Sequence, residues 1–113
     1  MDCIFCRIAT GDIPAQIVYS DEHTVAFRDL NPQAPTHVLV IPRTHIATLN
    51  DAATHDAAVI GSLLHTAARV AALEGLAENG YRTIINTGAG AGQTVFHLHL
   101  HIIGGRALAW PPG

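Results

Sequence analysis

Three histidines alternate with apolar residues along Phe96-His97-Leu98-His99-Leu100-His101-Ile102, and a cysteine pair stands three apart at Cys3 and Cys6. Eight histidines in 113 residues is the unusual feature of the composition. Imidazole titrates near neutral pH and is the commonest metal ligand, so such groups serve either metal binding or nucleophilic and acid–base chemistry. Side chains alternate along a strand, so this spacing predicts three imidazoles on one face. Phe96, Leu98, Leu100 and Ile102 then take the opposite face, packed under a helix. The plain alternative is a solvated polar face, although alternating strands usually use Thr, Ser, Lys or Glu for that. Residues i and i+2 of a strand lie ~6.6 Å apart, which separates the outer two histidines by ~13 Å. One zinc ion with ligands at ~2.1 Å cannot gather all three, so at most two share a metal and the row divides its tasks. A catalytic row would use the middle residue, His99, as nucleophile or general base.

Just before this row runs Thr87-Gly88-Ala89-Gly90-Ala91-Gly92-Gln93-Thr94. It leads into a strand rather than a helix and carries no Lys, so it is neither a dinucleotide fingerprint nor a P-loop. Successive backbone amides in such a loop can still surround an anion, the plain alternative being a flexible hairpin connection. A neutral imidazole beside an anion pocket suits attack on phosphorus, because a covalent intermediate splits one hard displacement into two easier ones.

Cys3-Ile4-Phe5-Cys6 has the C-x-x-C spacing with which two thiolates hold one zinc or form a redox disulfide. A redox pair needs a strand before it and a helix starting at it, and only two residues precede Cys3, so zinc takes precedence. Two unligated cysteines in a reduced cytosol are the plain alternative. The remaining ligands would be histidines, with His37, His45 and His97 as candidates. His23, His55 and His65 belong to no comparable constellation.

The elements that must position these groups follow from pattern. Ile17 to Tyr19 and Thr24 to Arg28 are β-prone runs around a polar spacer, a hairpin. Asn31-Pro32-Gln33-Ala34-Pro35 breaks the chain, and a third strand runs from His37 to Ile41, stopped by Pro42. Apolar residues at Val59, Ile60, Leu63, Leu64, Ala67, Val70 and Ala71 predict a long helix from about Asp51 to Leu73. Thr54 or Asn50 would cap its start, and Gly75 would end it. Tyr81 to Asn86 and Val95 to Ile103 complete five strands.

Composition narrows the function classes. The chain is 49% hydrophobic and 13% charged, in the range of one globular domain. Six arginines, no lysine and nine acidic residues give a net charge of −3 without any basic patch, which argues against a nucleic-acid partner. No stretch approaches the ~20 apolar residues of a membrane span, and the start lacks a basic segment followed by an apolar one. The expectation is a cytoplasmic protein with no membrane partner.

His97-Leu98-His99-Leu100-His101-Ile102-Ile103 resembles the His-x-His-x-His-x-x signature, with x apolar, of the histidine-triad (HIT) superfamily. Asp29-Leu30-Asn31-Pro32-Gln33-Ala34-Pro35-Thr36-His37, Val40-Ile41-Pro42, Gly92-Gln93 and Trp110-Pro111-Pro112-Gly113 are similar to the Hint branch, the histidine-triad nucleotide-binding proteins. The resemblance implies one HIT domain over residues 1–113 with an α+β fold. Its five-stranded antiparallel sheet and one long helix would dimerise into a ten-stranded sheet. It also implies a purine nucleoside phosphoramidase that hydrolyses the P–N bond of adenosine 5'-monophosphoramidates. His99 would be the nucleophile that forms a nucleotidyl-histidine. His101 would bond the phosphate and orient His99, and His37 would complete the site. Gly92, Gln93 and Thr94 would donate to the phosphoryl oxygens, and Thr94 replaces a frequent Ser with its hydroxyl kept. Asp29 would bind the ribose hydroxyls, and Asn86 would line the phosphate side. Phe5, Ile8 and Phe27 would form the base pocket, Leu30 and Trp110 would also contact the nucleotide, and Trp110 would reach toward the partner subunit's site. Arg28 puts a positive charge near the nucleoside end. The resemblance further implies a structural zinc on Cys3, Cys6, His45 and His97, with no cofactor needed for the chemistry. The competing functions are a nucleotidyl transferase or dinucleotide hydrolase of the same superfamily, a nucleotide-binding interaction module, and a zinc hydrolase.

Overall fold

The structure is a computed structural model and describes residues 3–113. Five antiparallel strands form one sheet in the order β1-β2-β3-β5-β4. These are β1 (Ile17–Ser20), β2 (Thr24–Arg28), β3 (Thr36–Pro42), β4 (Tyr81–Ile84) and β5 (Leu100–Gly104). A short helix α1 (Ile4–Thr10) precedes the sheet, and the long helix α2 (Ala57–Leu73) crosses from β3 to β4.

The two-residue period of the strands assigns each side chain to a face. Ala26, Val38, Val40, Leu100 and Ile102 point to one side, where Leu63, Ala67, Val70 and Ala71 of α2 cover them in the main core. Val25, Phe27, Leu39 and Ile41 point to the other, against Cys3 and Phe5 from the α1 segment. His37 and His101 are odd-numbered members of β3 and β5, and Leu39 stands opposite His101. Both histidines therefore lie on the face turned away from α2. Leu63 is fully buried in the α2 stripe, and Leu63→Ala is expected to lower unfolding free energy by ~2–5 kcal/mol in chemical denaturation.

The helix expected over 51–73 divides in two. A 3-10 turn, Leu49–Thr54, is capped by Thr48, whose hydroxyl accepts from the Asn50 amide, and α2 starts afresh behind Asp56, whose carboxylate accepts from the Ala58 amide. Asx and hydroxyl caps one residue outside each helical run thus displace Asn50 and Thr54 from the predicted role. Gly75 does follow the helix end in the left-handed region, at φ +75°. α1 was absent from the sequence reading, because seven residues are too few to display a helical period.

The expected strand 95–103 is shorter, and residues 95–99 form an irregular run before β5. The Leu98 amide bonds the Ile46 carbonyl at 2.6 Å, and the His97 ring is drawn to the cysteines, so the pleat is lost there. Leu98, Leu100 and Ile102 join the core under α2 as expected, but Phe96 is half exposed and outside it. The three imidazoles nevertheless share the α1 side, His97 and His99 against Phe5 and His101 opposite Leu39, although only His101 stands on a regular strand. No helix among the described residues is long and apolar enough to cross a membrane.

Candidate active site

The imidazoles on the α1 face are fixed by a chain of hydrogen bonds that dictates where each proton sits. His99 Nδ1 lies 2.8 Å from the His97 carbonyl. A carbonyl only accepts, so Nδ1 carries the hydrogen and the lone pair of His99 Nε2 is free. The Gln33 amide donates to His37 Nδ1 at 3.0 Å, so the proton of neutral His37 is on Nε2, which donates to His101 Nδ1 at 2.9 Å. Asp29 Oδ2 stands 3.5 Å from that Nε2 and favours the same arrangement. His101 must then carry its proton on Nε2, a buried donor with no partner among the described residues. Burial, followed by the neighbouring His99 and His37, pushes the His101 pKa down to about 4, with Asp29 opposing weakly. Near pH 7 His101 is a neutral N–H donor beside His99, their ring centroids 5.0 Å apart.

The glycine loop is built around Gln93. Its buried side chain accepts from the Gly88 amide at 2.9 Å and donates to the carbonyls of Ala47 at 2.9 Å and Val95 at 3.1 Å. The Gly92 and Gln93 amides, expected as anion donors, turn inward onto the Ala89 and Gly88 carbonyls. They shape the loop, whereas the exposed Thr94 keeps its hydroxyl and amide without partners among the described residues. Gln93→Ala would leave these backbone groups unsatisfied, and a stability loss of ~1–3 kcal/mol is expected in thermal denaturation.

Beside the imidazoles, α1 and the face of β2 and β3 enclose a mostly apolar cavity of about 200 Å³. Phe5, Ile8, Phe27, Asp29 and Leu30, all nucleotide-contact candidates from the sequence, line it together. Phe5 contacts Phe27 edge-on at 5.4 Å and the His99 ring at 5.1 Å, joining the cavity to the imidazoles. Asp29 is pinned at the mouth by the Asn31 amide at 2.8 Å, with its other oxygen toward His37. Arg28 does not present an unbalanced charge there. Its guanidinium grips the Glu74 carboxylate through two bonds of 2.7 and 3.1 Å. Asn86 is half-buried, and Trp110 is exposed with no cavity contact of its own.

Cys3, Cys6, His45 and His97 converge so that their four donor atoms all lie within 4.8 Å of one another. His97 Nδ1 is 3.3 Å from Cys3 Sγ, 3.5 Å from Cys6 Sγ and 3.2 Å from His45 Nδ1, and Cys6 Sγ is 3.4 Å from His45 Nδ1. The edges of a tetrahedron with zinc–ligand bonds of ~2.0–2.3 Å measure ~3.3–3.8 Å, so the donor set fits that ion. His97 Nε2 donates to the Pro42 carbonyl at 2.8 Å, which leaves the Nδ1 lone pair for a metal. Burial, then His45 and His99, lowers the His97 pKa and favours this neutral form. Burial and the adjacent Cys3 raise the Cys6 thiol. A helix does start at the pair, with Cys3 as the N-cap of α1 and Cys6 in its first turn.

Residues 10–108 match the HIT domain family. The chain belongs to the HIT family. This HIT chain is 57% identical over 112 residues to an uncharacterized HIT-like protein of Synechococcus elongatus, covering 99% of this chain and 97% of that protein. It is 47% identical over 107 residues to the purine nucleoside phosphoramidase of Escherichia coli strain K12, covering 95% and 90%. Among solved structures, a HIT family hydrolase from Legionella pneumophila superposes with a TM-score of 0.96 at 51% identity, covering 99% of this chain and all of that one. A zinc-bound histidine triad family protein from Mycobacterium smegmatis superposes with a TM-score of 0.82 at 39% identity, covering 94% and 76%.

Three groups that complete the HIT site escaped the sequence reading: the Gln33 amide, the Pro42 carbonyl and the His97 carbonyl. All are backbone atoms, and backbone donors and acceptors carry no residue-type signal. The turn 31–35 was legible as a turn, but its role in fixing the His37 tautomer was not.

Proposed function

We propose that this HIT protein hydrolyses the P–N bond of purine nucleoside 5'-phosphoramidates through a covalent nucleotidyl-His99 intermediate. The observation that carries this reading is the His99 Nδ1–His97 carbonyl bond, which frees Nε2 beside the unpartnered His101 donor and the apolar cavity. The purine would lie between Phe5, Ile8, Phe27 and Leu30, with the ribose hydroxyls on Asp29. The phosphoryl group would then meet His99, with Thr94 and Asn86 at its side, while Gly92 and Gln93 hold the loop. In the first step the Nε2 lone pair attacks the α-phosphorus in line as the P–N bond breaks, and the amine leaves with a proton from solvent. The His101 Nε2–H donates to a phosphoryl oxygen as negative charge builds there, and His37 keeps His101 in that tautomer. The imidazole that bears the nucleotide is positively charged and is a good leaving group. Water displaces it, which releases the nucleoside monophosphate and returns His99 to its neutral form.

The Cys3, Cys6, His45 and His97 donors are read as a structural zinc site. Zinc bound there would tie α1 to the loop after β3 and take no part in bond breaking. Loading under reducing conditions should give one zinc per chain by elemental analysis, and Cys6→Ser should weaken binding by at least about tenfold. The chain 1–113 is read as one HIT domain that pairs with a second copy to extend the sheet. Open sheet edges and the exposed Leu64 and Leu73 of α2 support that pairing, and sedimentation equilibrium tests it.

Steady-state hydrolysis of an adenosine 5'-phosphoramidate carrying a fluorogenic amine tests the reading directly. Turnover is expected. A folded protein that binds AMP without turning over this substrate would contradict it and favour an interaction module or a transferase of the same superfamily.

A further inference from the structure

His97 belongs to two sites at once. Its ring Nδ1 faces Cys3, Cys6 and His45, while its main-chain carbonyl receives the His99 Nδ1–H at 2.8 Å. The other ligands are tied to the same machinery. Phe5 lies between the two cysteines, and its ring meets His97 at 6.0 Å and His99 at 5.1 Å. Ile8 of the same helix lines the cavity. Behind His45, the Ile46 carbonyl accepts from the Leu98 amide and the Ala47 carbonyl from Gln93 Nε2. The segments that carry the four donors are thus those that carry the nucleophile, the cavity wall and the clamp of the glycine loop. The main core between α2 and the sheet includes Ile46 and Leu98 but no residue of α1.

We infer that the Cys3, Cys6, His45 and His97 cluster is a positioning device for His99 and the nucleotide cavity, with His97 as the residue that couples the two. With a metal between the four donors, the His97 carbonyl is held in one place and fixes the His99 tautomer, while α1 keeps Phe5 against the His99 ring. With the donors unliganded, α1 and His99 loosen together, and the sheet and α2 stay folded on their separate core. The catalytic consequence rests on the reading of His99 as nucleophile, whereas the coupling itself does not.

The test compares zinc-loaded and chelator-stripped protein, with far-UV circular dichroism reporting the fold. AMP affinity comes from calorimetry, and ¹⁵N imidazole spectra report the His99 tautomer through the signal that disappears in His99→Asn. Stripped protein should keep its sheet, bind AMP ~10-fold more weakly and lose the single Nδ1–H pattern of His99. Coupling free energy is reciprocal, so saturating AMP should raise zinc affinity by the same factor. Unchanged AMP affinity and an unchanged His99 pattern in folded, stripped protein would overturn the inference. Melting of the sheet on stripping would also overturn it, since the cluster would then support the whole fold rather than the site. A protein that bound no AMP in either state would overturn the proposed function, and the His99 pattern would still decide the coupling.

Discussion

His99→Ala is expected to lower kcat/KM for an adenosine 5'-phosphoramidate by at least ~10⁴-fold while leaving the protein folded and able to bind AMP. The size of the effect follows from what the ring does. His99 Nε2 is the one imidazole nitrogen beside the cavity that combines a free lone pair with a partner-fixed tautomer. Alanine would remove the proposed attacking atom, and water would then lack the proposed two-step route. In the proposed pose AMP rests on the wall formed by Phe5, Ile8 and Phe27 and on Asp29, so its binding should survive with a modest change. Parallel measurement of turnover and of AMP binding by calorimetry checks both halves. Residual turnover within tenfold of the unsubstituted protein would place the nucleophile elsewhere.

His101→Ala should cost ~10²–10³-fold in kcat with a smaller change in KM, the signature of a donor used more in the transition state than in the ground state. The same ring makes a prediction about pH. Its folded pKa, about 4, lies below the ordinary 6.5, so the unfolded chain takes up a proton first as pH falls. Stability is therefore unaffected by this group above about 6.5 and is lost progressively between about 6.5 and about 4. Urea denaturation at points across that window should show His101→Ala losing less stability on acidification than the unsubstituted chain. Identical slopes would mean that His101 is not held neutral by its surroundings.

Much of this site can be read from residue types and spacing. The triad, the C-x-x-C pair and the alternation of Leu98, Leu100 and Ile102 are side-chain patterns, and each found its place in the structure. The period-two reading failed over residues 95–99 because a tertiary demand, His97 turning to Cys3 and Cys6, outweighed local strand preference. That departure fits the division of tasks that the spacing implies, with the His97 ring at Cys3 and Cys6 and the His99 and His101 rings side by side. Helix α1 went unseen because its seven residues are held by a cysteine cap and by packing on Phe27, contacts invisible in one dimension. The tautomers of His37, His99 and His101 were equally out of reach. They depend on a backbone amide and a backbone carbonyl, which any residue at position 97 and any but proline at position 33 could provide. In one dimension Arg28 reads as added charge at the nucleoside end, and the fold brings Glu74, 46 positions away, to neutralise it.

The proposed reaction passes through a covalent bond to His99 Nε2. Rapid mixing of protein with excess adenosine 5'-phosphoramidate, alkaline quenching within a turnover and peptide mass spectrometry measure it directly. An adenylyl group is expected on the peptide that contains His99, formed before the nucleoside monophosphate appears in solution and absent from His99→Ala. Steady turnover with no adenylated peptide at any quench time, or an adenylyl group on another residue, would contradict it.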